Sequence, residues 1–147
     1  MPNLTVPVVA NLPPVVALII GPTSVAAEAA LAAGEFEWAS LLTVPVMLDT
    51  GSELSMISRR LAEELGLDPG GERSVLGVGA SAPEVGLIYR IRLMFPGIPS
   101  VLLASNAKVV AVEDLDRFDV GMIMGRDLLS RCILIYNGPD SCCTFAF

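Results

Sequence analysis

The chain has 147 residues, with 16 acidic and 9 basic side chains, so its formal net charge is −7. This excess of negative charge argues against nucleic acid and anionic membranes as partners. Hydrophobic residues make up 53% of the chain and charged residues 17%. One domain of this length can therefore bury a real core, and a homo-oligomer would cover the apolar surface that is left over.

The sequence contains no histidine. Its absence excludes Ser-His-Asp and Cys-His nucleophilic catalysis and zinc sites built on histidine. Acid–base chemistry is left to carboxylate, lysine, tyrosine and cysteine side chains. The three cysteines are an odd number without C-x-x-C spacing. They do not describe a disulfide framework or a metal site, and we expect a reducing, cytoplasmic location.

Prolines interrupt residues 1–22 repeatedly. A secretory signal or a membrane helix needs a longer uninterrupted apolar run, so we expect neither. The pattern predicts a proline-rich extension over residues 1–14 and a single domain over residues 15–147, which begins with a strand from Val15 to Ile20. An alanine-rich helix, capped by Thr23 or Ser24 and ended by Gly34, would form an insertion near residues 24–34.

The stretch from Val46 to Ser52 is the most unusual in the chain. Its apolar residues end a strand predicted from Leu42 to Leu48, and Asp49 follows at once. A carboxylate at the end of a buried strand is costly to desolvate unless something pairs with it or uses it. Gly51 lets the backbone come close to a neighbour or a ligand. On these residues alone, a loop in which Asp49 only caps a turn explains the pattern equally well.

Further elements follow as alternating apolar runs and turn residues. Ser58 begins a short helix that Gly66 ends, and Pro69-Gly70-Gly71 predicts a turn. Residues 74–95 predict a β-hairpin whose tip is rich in glycine, alanine and serine. Residues 100–112 predict one or two strands, and the acidic residues 113–119 predict a solvated loop.

A second apolar strand, from residue 120 to residue 124, runs into Gly125-Arg126-Asp127. Asp127 is placed to cap a short helix that continues through Arg131. The turn at residues 137–140 lies between two further apolar runs and predicts a terminal hairpin.

Three of these stretches, in this order, resemble the retroviral-type (retropepsin-like) aspartic proteases. They are Asp49-Thr50-Gly51-Ser52 after a strand, the glycine-rich hairpin about 25 to 30 residues later, and residues 123–129 before the last strands. The resemblance covers roughly residues 42–147 and is greatest to members encoded by bacteria. It implies an all-β acid protease fold, a closed β-barrel of one lobe with one short helix near the C-terminus. Residues 1–41 and the longer terminal hairpin have no counterpart in the compact viral enzymes and would alter the dimer edge.

The resemblance also assigns roles to residues. Asp49 matches the catalytic aspartate, Thr50 the threonine that hydrogen-bonds across a two-fold axis to its mate, and Gly51 the glycine whose carbonyl receives the substrate backbone. Arg126 and Asp127 match structural residues, and Arg126 is expected to pair with Glu53. Residues matched to substrate binding lie after the triplet, in a flap from Leu76 to Ala82 and in the cleft wall: Ser52, Glu53, Leu76, Gly77, Val78, Gly79, Ala80, Ile123 and Met124.

One chain carries a single Asp-Thr-Gly, whereas two-lobed aspartic proteases need two, so the resemblance implies a homodimer through Asp49 and the terminal strands. Two adjacent carboxylates share one proton, and one acts as base on water while the other acts as acid to the carbonyl. Peptides or proteins would be the substrates, without a metal or a cofactor. A catalytically silent module that grips an extended peptide by strand addition, and a scaffold that assembles through its apolar surface, are the alternatives. Self-association and loss of cleavage in Asp49→Asn would distinguish them from an endopeptidase.

Overall fold

A computed structural model describes residues 3–23, 29–30, 32–34, 42–76, 81–96 and 102–147. Over these residues the chain is nearly all β, with short helices between the strands. Its elements are β1 (Asn3–Pro7), β2 (Val15–Pro22), β3 (Leu42–Leu48), β4 (Met56–Ser58), α1 (Arg59–Glu64), β5 (Pro69–Val75), β6 (Glu84–Met94), β7 (Leu102–Val112), a 3₁₀ helix (Asp114–Phe118), β8 (Met122–Met124), α2 (Arg126–Leu129), β9 (Ile133–Asn137) and β10 (Cys142–Ala146).

Six strands close into a barrel in the order β2-β3-β8-β4-β7-β6, because β6 also pairs with β2. β5 pairs with the outer part of β6 and so extends the sheet. The β3–β8 and β4–β7 pairs are parallel, and the other pairs are antiparallel. The closed barrel and the short helix near the C-terminus confirm the expected fold class.

Two apolar clusters fill the domain. The larger lies inside the barrel, where alternate residues of each strand point inward, and Leu18, Ile91 and Met122 are fully buried there. The smaller cluster contains Met47 and Ile123 and is covered by Leu115 of the 3₁₀ helix, with Val120. Because successive side chains of a strand face opposite sides, β3 and β8 contribute to both clusters.

The two ends of the chain form a separate three-stranded sheet in the order β1-β10-β9. The predicted terminal hairpin is confirmed, with Cys142 opposite Asn137. Strand β1 was not expected, because its prolines suggested an irregular start, but Asn3 pairs in register with Ala146 at the edge of the sheet. The division of the chain at residue 14 stays a prediction.

The structure tests the local predictions for the helix after Ser58 and for the turn at Pro69. The α1 helix begins after Ser58, whose hydroxyl accepts from the Leu61 N–H, and Gly66 follows its end with a positive φ of 61°. The turn predicted at Pro69 is wrong: it belongs to β5, where the register shifts between Pro69 and Glu72. Such a shift is a β-bulge, which glycine favours in a strand.

Two further predictions concern the acidic residues 113–119 and the alanine-rich helix. The acidic residues 113–119 are not an open loop, because Asp114–Phe118 is a 3₁₀ helix with Leu115 buried beneath it. The predicted alanine-rich helix falls mostly outside the described residues. Within them, the Ala33 N–H donates to the Ala29 carbonyl, and Gly34 has a positive φ of 70°.

The three cysteines carry free thiols. Cys143 is buried and Cys142 is half-buried on the opposite face of β10, as the alternation of a strand predicts. Burial raises the pKa of the Cys132 thiol, and burial next to Cys142 raises the pKa of the Cys143 thiol. In the described part of the chain, no helix is long and apolar enough to cross a membrane.

Candidate active site

Strand β3 carries Asp49 to one end of the barrel. The Asp49 N–H donates to the Met124 carbonyl over 3.0 Å, so the parallel β3–β8 pair holds the residue beside Gly125. The chain then turns tightly, with the Ser52 N–H donating to the Asp49 carbonyl over 3.2 Å. The Gly51 N–H donates to Asp49 Oδ1 over 2.8 Å. The turn therefore fixes one carboxylate oxygen of a half-buried Asp49 and leaves Thr50 exposed at the surface.

A second loop, from β8 into α2, interlocks with this turn through its backbone. The Arg126 N–H donates to the Ser52 carbonyl over 2.9 Å, and the Gly125 N–H donates to Ser55 Oγ over 3.0 Å. A Cβ atom on Gly125 would lie 2.5 Å from the Leu54 carbonyl oxygen. Only glycine allows the two loops to approach this closely.

Asp127 joins the same two loops through its side chain. Its Oδ2 accepts from the Ser55 N–H over 3.0 Å, and its Oδ1 accepts from Ser55 Oγ over 2.6 Å and from the Leu128 N–H over 2.9 Å. The prediction that Asp127 caps a helix through Arg131 is wrong, because Gly125 is the N-cap residue and α2 is Arg126–Leu129. The carboxylate binds Ser55 because that buried residue presents two donors to it.

Arg126 reaches back over the turn at residues 49–52. Its Nη1 donates to the Thr50 carbonyl over 2.9 Å and lies 3.5 Å from the Gly51 carbonyl. The predicted Arg126–Glu53 pair is wrong, since Glu53 Oε1 lies 3.9 Å from Nη2 of Arg73 on β5. Because the Arg126 backbone is anchored at Ser52, its side chain lies over the turn that precedes Glu53.

A cavity of about 900 Å³ opens over Asp49. Its floor is apolar and comes from the smaller cluster and its neighbours, and its rim carries charged side chains and the base of the β5–β6 hairpin. The described lining residues are Met47, Asp49, Gly51, Ser52, Glu53, Leu54, Met56, Arg73, Ser74, Val75, Leu76, Ala82, Glu84, Val112, Leu115, Arg117, Phe118, Ile123 and Arg126. A largely apolar cleft with a few convergent polar groups is typical of a binding site for an organic ligand. We call it the cleft below.

The structure describes ten of the site residues predicted from sequence, and seven of them line this cleft, while Thr50 is exposed at the surface beside Asp49 and Gly51. The prediction that Met124 lines the wall is wrong. Met124 is fully buried in the barrel, because it faces away from the side of β8 that carries Ile123. Four flap residues lie outside the described part of the chain: Gly77, Val78, Gly79 and Ala80.

Sequence reasoning missed most of the cleft floor. Met47 is the one residue with a usable signal, since it lies opposite Ile123 in the parallel β3–β8 register and shares its face. Leu115 and Phe118 come from a stretch whose charges suggested only solvent exposure. Their contribution depends on the 3₁₀ helix, which turns Leu115 inward.

The comparisons with known proteins agree with this geometry. A family model described as Aspartyl protease matches residues 34–128, which is more than half of the chain, and the chain belongs to that family. A crystal structure of a retropepsin-like aspartic protease from Rickettsia conorii is similar, with a TM-score of 0.64 and 12% sequence identity over 99% of this chain and 91% of that one. The EIAV protease in complex with the inhibitor HBY-793 has a TM-score of 0.47 and 15% identity, over 83% and 89% of the two chains. A search of curated proteins finds no match. The fold is therefore that of a retropepsin-like aspartic protease.

Proposed function

We propose that this protein is an endopeptidase that works as a homodimer, in which the Asp49 carboxylates of two copies activate one water molecule. The observation that carries the proposal is the turn at residues 49–52, which we call the catalytic turn below. It holds one half-buried carboxylate at the mouth of the cleft, with Oδ1 bound to the Gly51 N–H and Thr50 exposed beside it. A family with this triplet uses two aspartates, and one chain supplies one triplet.

The chemistry follows from two carboxylates that face each other across a two-fold axis. Two such groups about 3 Å apart cannot both ionise cheaply, so they share one proton. The ionised carboxylate takes a proton from water as the water oxygen bonds to the peptide carbonyl carbon, and the other carboxylate protonates the carbonyl oxygen. When the C–N bond breaks, the protonated carboxylate gives its proton to the leaving nitrogen and a hydroxyl of the diol returns a proton to the other carboxylate, so the pair again shares one proton. No histidine is required.

The unpaired edge of strand β9 is an argument for the proposed homodimer. In the described part of the chain it pairs with β10 on one side only, so its other edge is available. Ile133 and Ile135 on that strand are 49% and 56% exposed. Unpaired apolar edges are templates for strand addition. Antiparallel pairing of β9 with its own copy would join two three-stranded sheets into one sheet of six strands, and β9 begins shortly after α2, which is tied to the catalytic turn.

The lining of the cleft supports a proposal for how substrate is held. An extended peptide would lie between the catalytic turn and the β5–β6 hairpin, with its backbone near Gly51. Beside Asp49 the floor consists of Met47, Leu115 and Ile123. We therefore expect an apolar substrate side chain to occupy that position, since burial of apolar surface there is favourable.

The test is a digest of proteome-derived peptides with wild type and Asp49→Asn at pH values between about 3 and 7, a range that covers carboxylate titration. We expect wild type to cleave and Asp49→Asn to lose roughly 10³-fold or more of the rate. Asp68→Asn, at an exposed position outside the cleft, is the matched control and should cleave normally. A wild-type protein that binds peptides without cleaving them would establish the silent binding module instead. A strict monomer without activity would overturn the proposal.

A further inference from the structure

Arg59 lies at one edge of the barrel, where β4 and β7 end and β6 begins. Ser58 of β4 lies opposite Val112 of β7 in a parallel pair, so Arg59 and Glu113 leave the two strands side by side. Arg59 Nη1 lies 2.5 Å from Glu113 Oε1, and Arg59 Nη2 lies 3.4 Å from Glu84 Oε1. One guanidinium therefore bridges two carboxylates from different parts of the chain.

Each carboxylate belongs to an element that borders the cleft. Glu84 is the first residue of β6 and lies opposite Val75, which makes it part of the last pair before the flap. Its side chain also lines the cleft. Glu113 directly precedes the 3₁₀ helix, whose Leu115 and Phe118 form part of the cleft lining. The bridge thus connects the base of the flap hairpin with the part of the cleft lining that the 3₁₀ helix supplies.

The backbone around the bridge is already closely packed. A Cβ atom on Gly86 would lie 2.5 Å from the Ala111 carbonyl oxygen, so β6 is pressed against β7 two residues from each bridged carboxylate. The Arg59 side chain is 35% exposed, against 47% for Glu84 and 66% for Glu113. Exposed ion pairs add little to global stability. A planar guanidinium fork fixes the direction of its partners more than it stabilises the fold.

We propose that Arg59 is a positioning residue of the cleft, which holds the flap base and the 3₁₀ wall at a fixed separation. The proposal rests on the proposed endopeptidase function for its kinetic consequence. Without Arg59, the two sides of the cleft sample a wider range of separations, and an extended peptide must order them when it binds. The loss falls on substrate binding rather than on the chemistry at Asp49, since the Arg59 side chain forms its ion pairs with Glu84 and Glu113, outside the catalytic turn.

The experiment compares Arg59→Ala with Arg60→Ala. Arg60 is the next residue of α1 and forms an exposed i,i+4 pair with Glu64 over 3.1 Å, away from the cleft. Hydrogen exchange is measured at the amides of Val75, Glu84 and Leu115. We expect Arg59→Ala to speed exchange at these sites by about 5-fold, in line with one lost ion-pair bridge. Arg60→Ala should leave them unchanged, and equal exchange in the two variants would overturn the proposal.

Peptidase kinetics give the second readout. In Arg59→Ala we expect KM to rise about 5-fold with kcat within a factor of about two, which is the signature of lost uniform binding. An Arg59→Lys variant that matched wild type would contradict the two-pronged contact, because one ammonium does not reproduce the guanidinium fork. If wild type cleaves nothing, the proposed function fails while the exchange measurement still decides the role of Arg59.

Discussion

The catalytic turn and the terminal sheet, β1-β10-β9, differ in whether their groups find partners within the chain. Around the turn, residues 49–55 and 125–127 satisfy one another with hydrogen bonds, and Ser55, only 1% exposed, gives both of its donors to Asp127. The terminal sheet instead leaves the apolar residues Ile133 and Ile135 of β9 exposed. One chain is thus sufficient to orient the Asp49 carboxylate, and the exposed apolar side chains lie on the strand through which we propose that two copies associate.

The difference follows from what each kind of group costs when it lacks a partner. A buried donor without an acceptor costs about 1–3 kcal/mol, so the turn must be completed within the chain. An exposed apolar side chain is tolerated in water and becomes favourable when a partner covers it. The polar groups of the turn are therefore paired within one chain, whereas the exposed apolar side chains of β9 are available for the proposed association.

The largest effect is expected at the terminal sheet. The double variant Ile133→Lys, Ile135→Lys should raise the Kd of the proposed homodimer by roughly 10³-fold, because like charges would meet where two copies of β9 pair. Peptidase activity should fall in parallel at fixed protein concentration. Analytical ultracentrifugation measures the first effect and a peptide assay the second.

Leu42→Lys is the control for that variant. Leu42 is 44% exposed and lies at the end of β3 opposite to Asp49, so it should not affect association. If the double lysine variant dimerised with wild-type affinity, β9 would not be the dimer interface.

The next effect is expected inside the catalytic turn. Asp127→Ala deprives both donors of Ser55 of their acceptor, and the free energy of unfolding should fall by about 2–3 kcal/mol. Urea unfolding under conditions that keep the protein monomeric measures the change. Glu64→Ala, which removes only an exposed carboxylate, should change stability by less than about 0.5 kcal/mol. Equal losses in the two variants would show that the turn is not held by Asp127.

A smaller effect is expected from Arg126→Ala. It removes the hydrogen bond to the Thr50 carbonyl, worth about 1 kcal/mol of stability. Peptidase activity should fall about 10-fold, since a misplaced carboxylate loses alignment with its partner. The ratio of the two effects is informative, because a purely structural loss would lower activity only as far as the folded fraction falls.

Sequence patterns predicted most of the strands, the helix after Ser58 and the carboxylate at the end of β3, because each depends on local periodicity or on one turn residue. They missed the start of β5, where Pro69 suggested a turn. They did not predict β1, whose pairing partner lies at the far end of the chain. The partners of Arg126 and Asp127 were also missed. Both depend on how two loops separated by about 75 residues interlock, as in the Arg126–Gly51 contact.

The sequence by itself determined the chemistry that this protein has available: carboxylates without histidine, and one Asp-Thr-Gly at the end of an apolar strand. Tertiary structure alone decided where that carboxylate points, which side of β8 faces the cleft and which strand keeps an apolar edge. Residue types limit what reactions are chemically accessible. Distances between segments far apart in sequence, which hydrogen bonds and burial set only after folding, decide which groups meet.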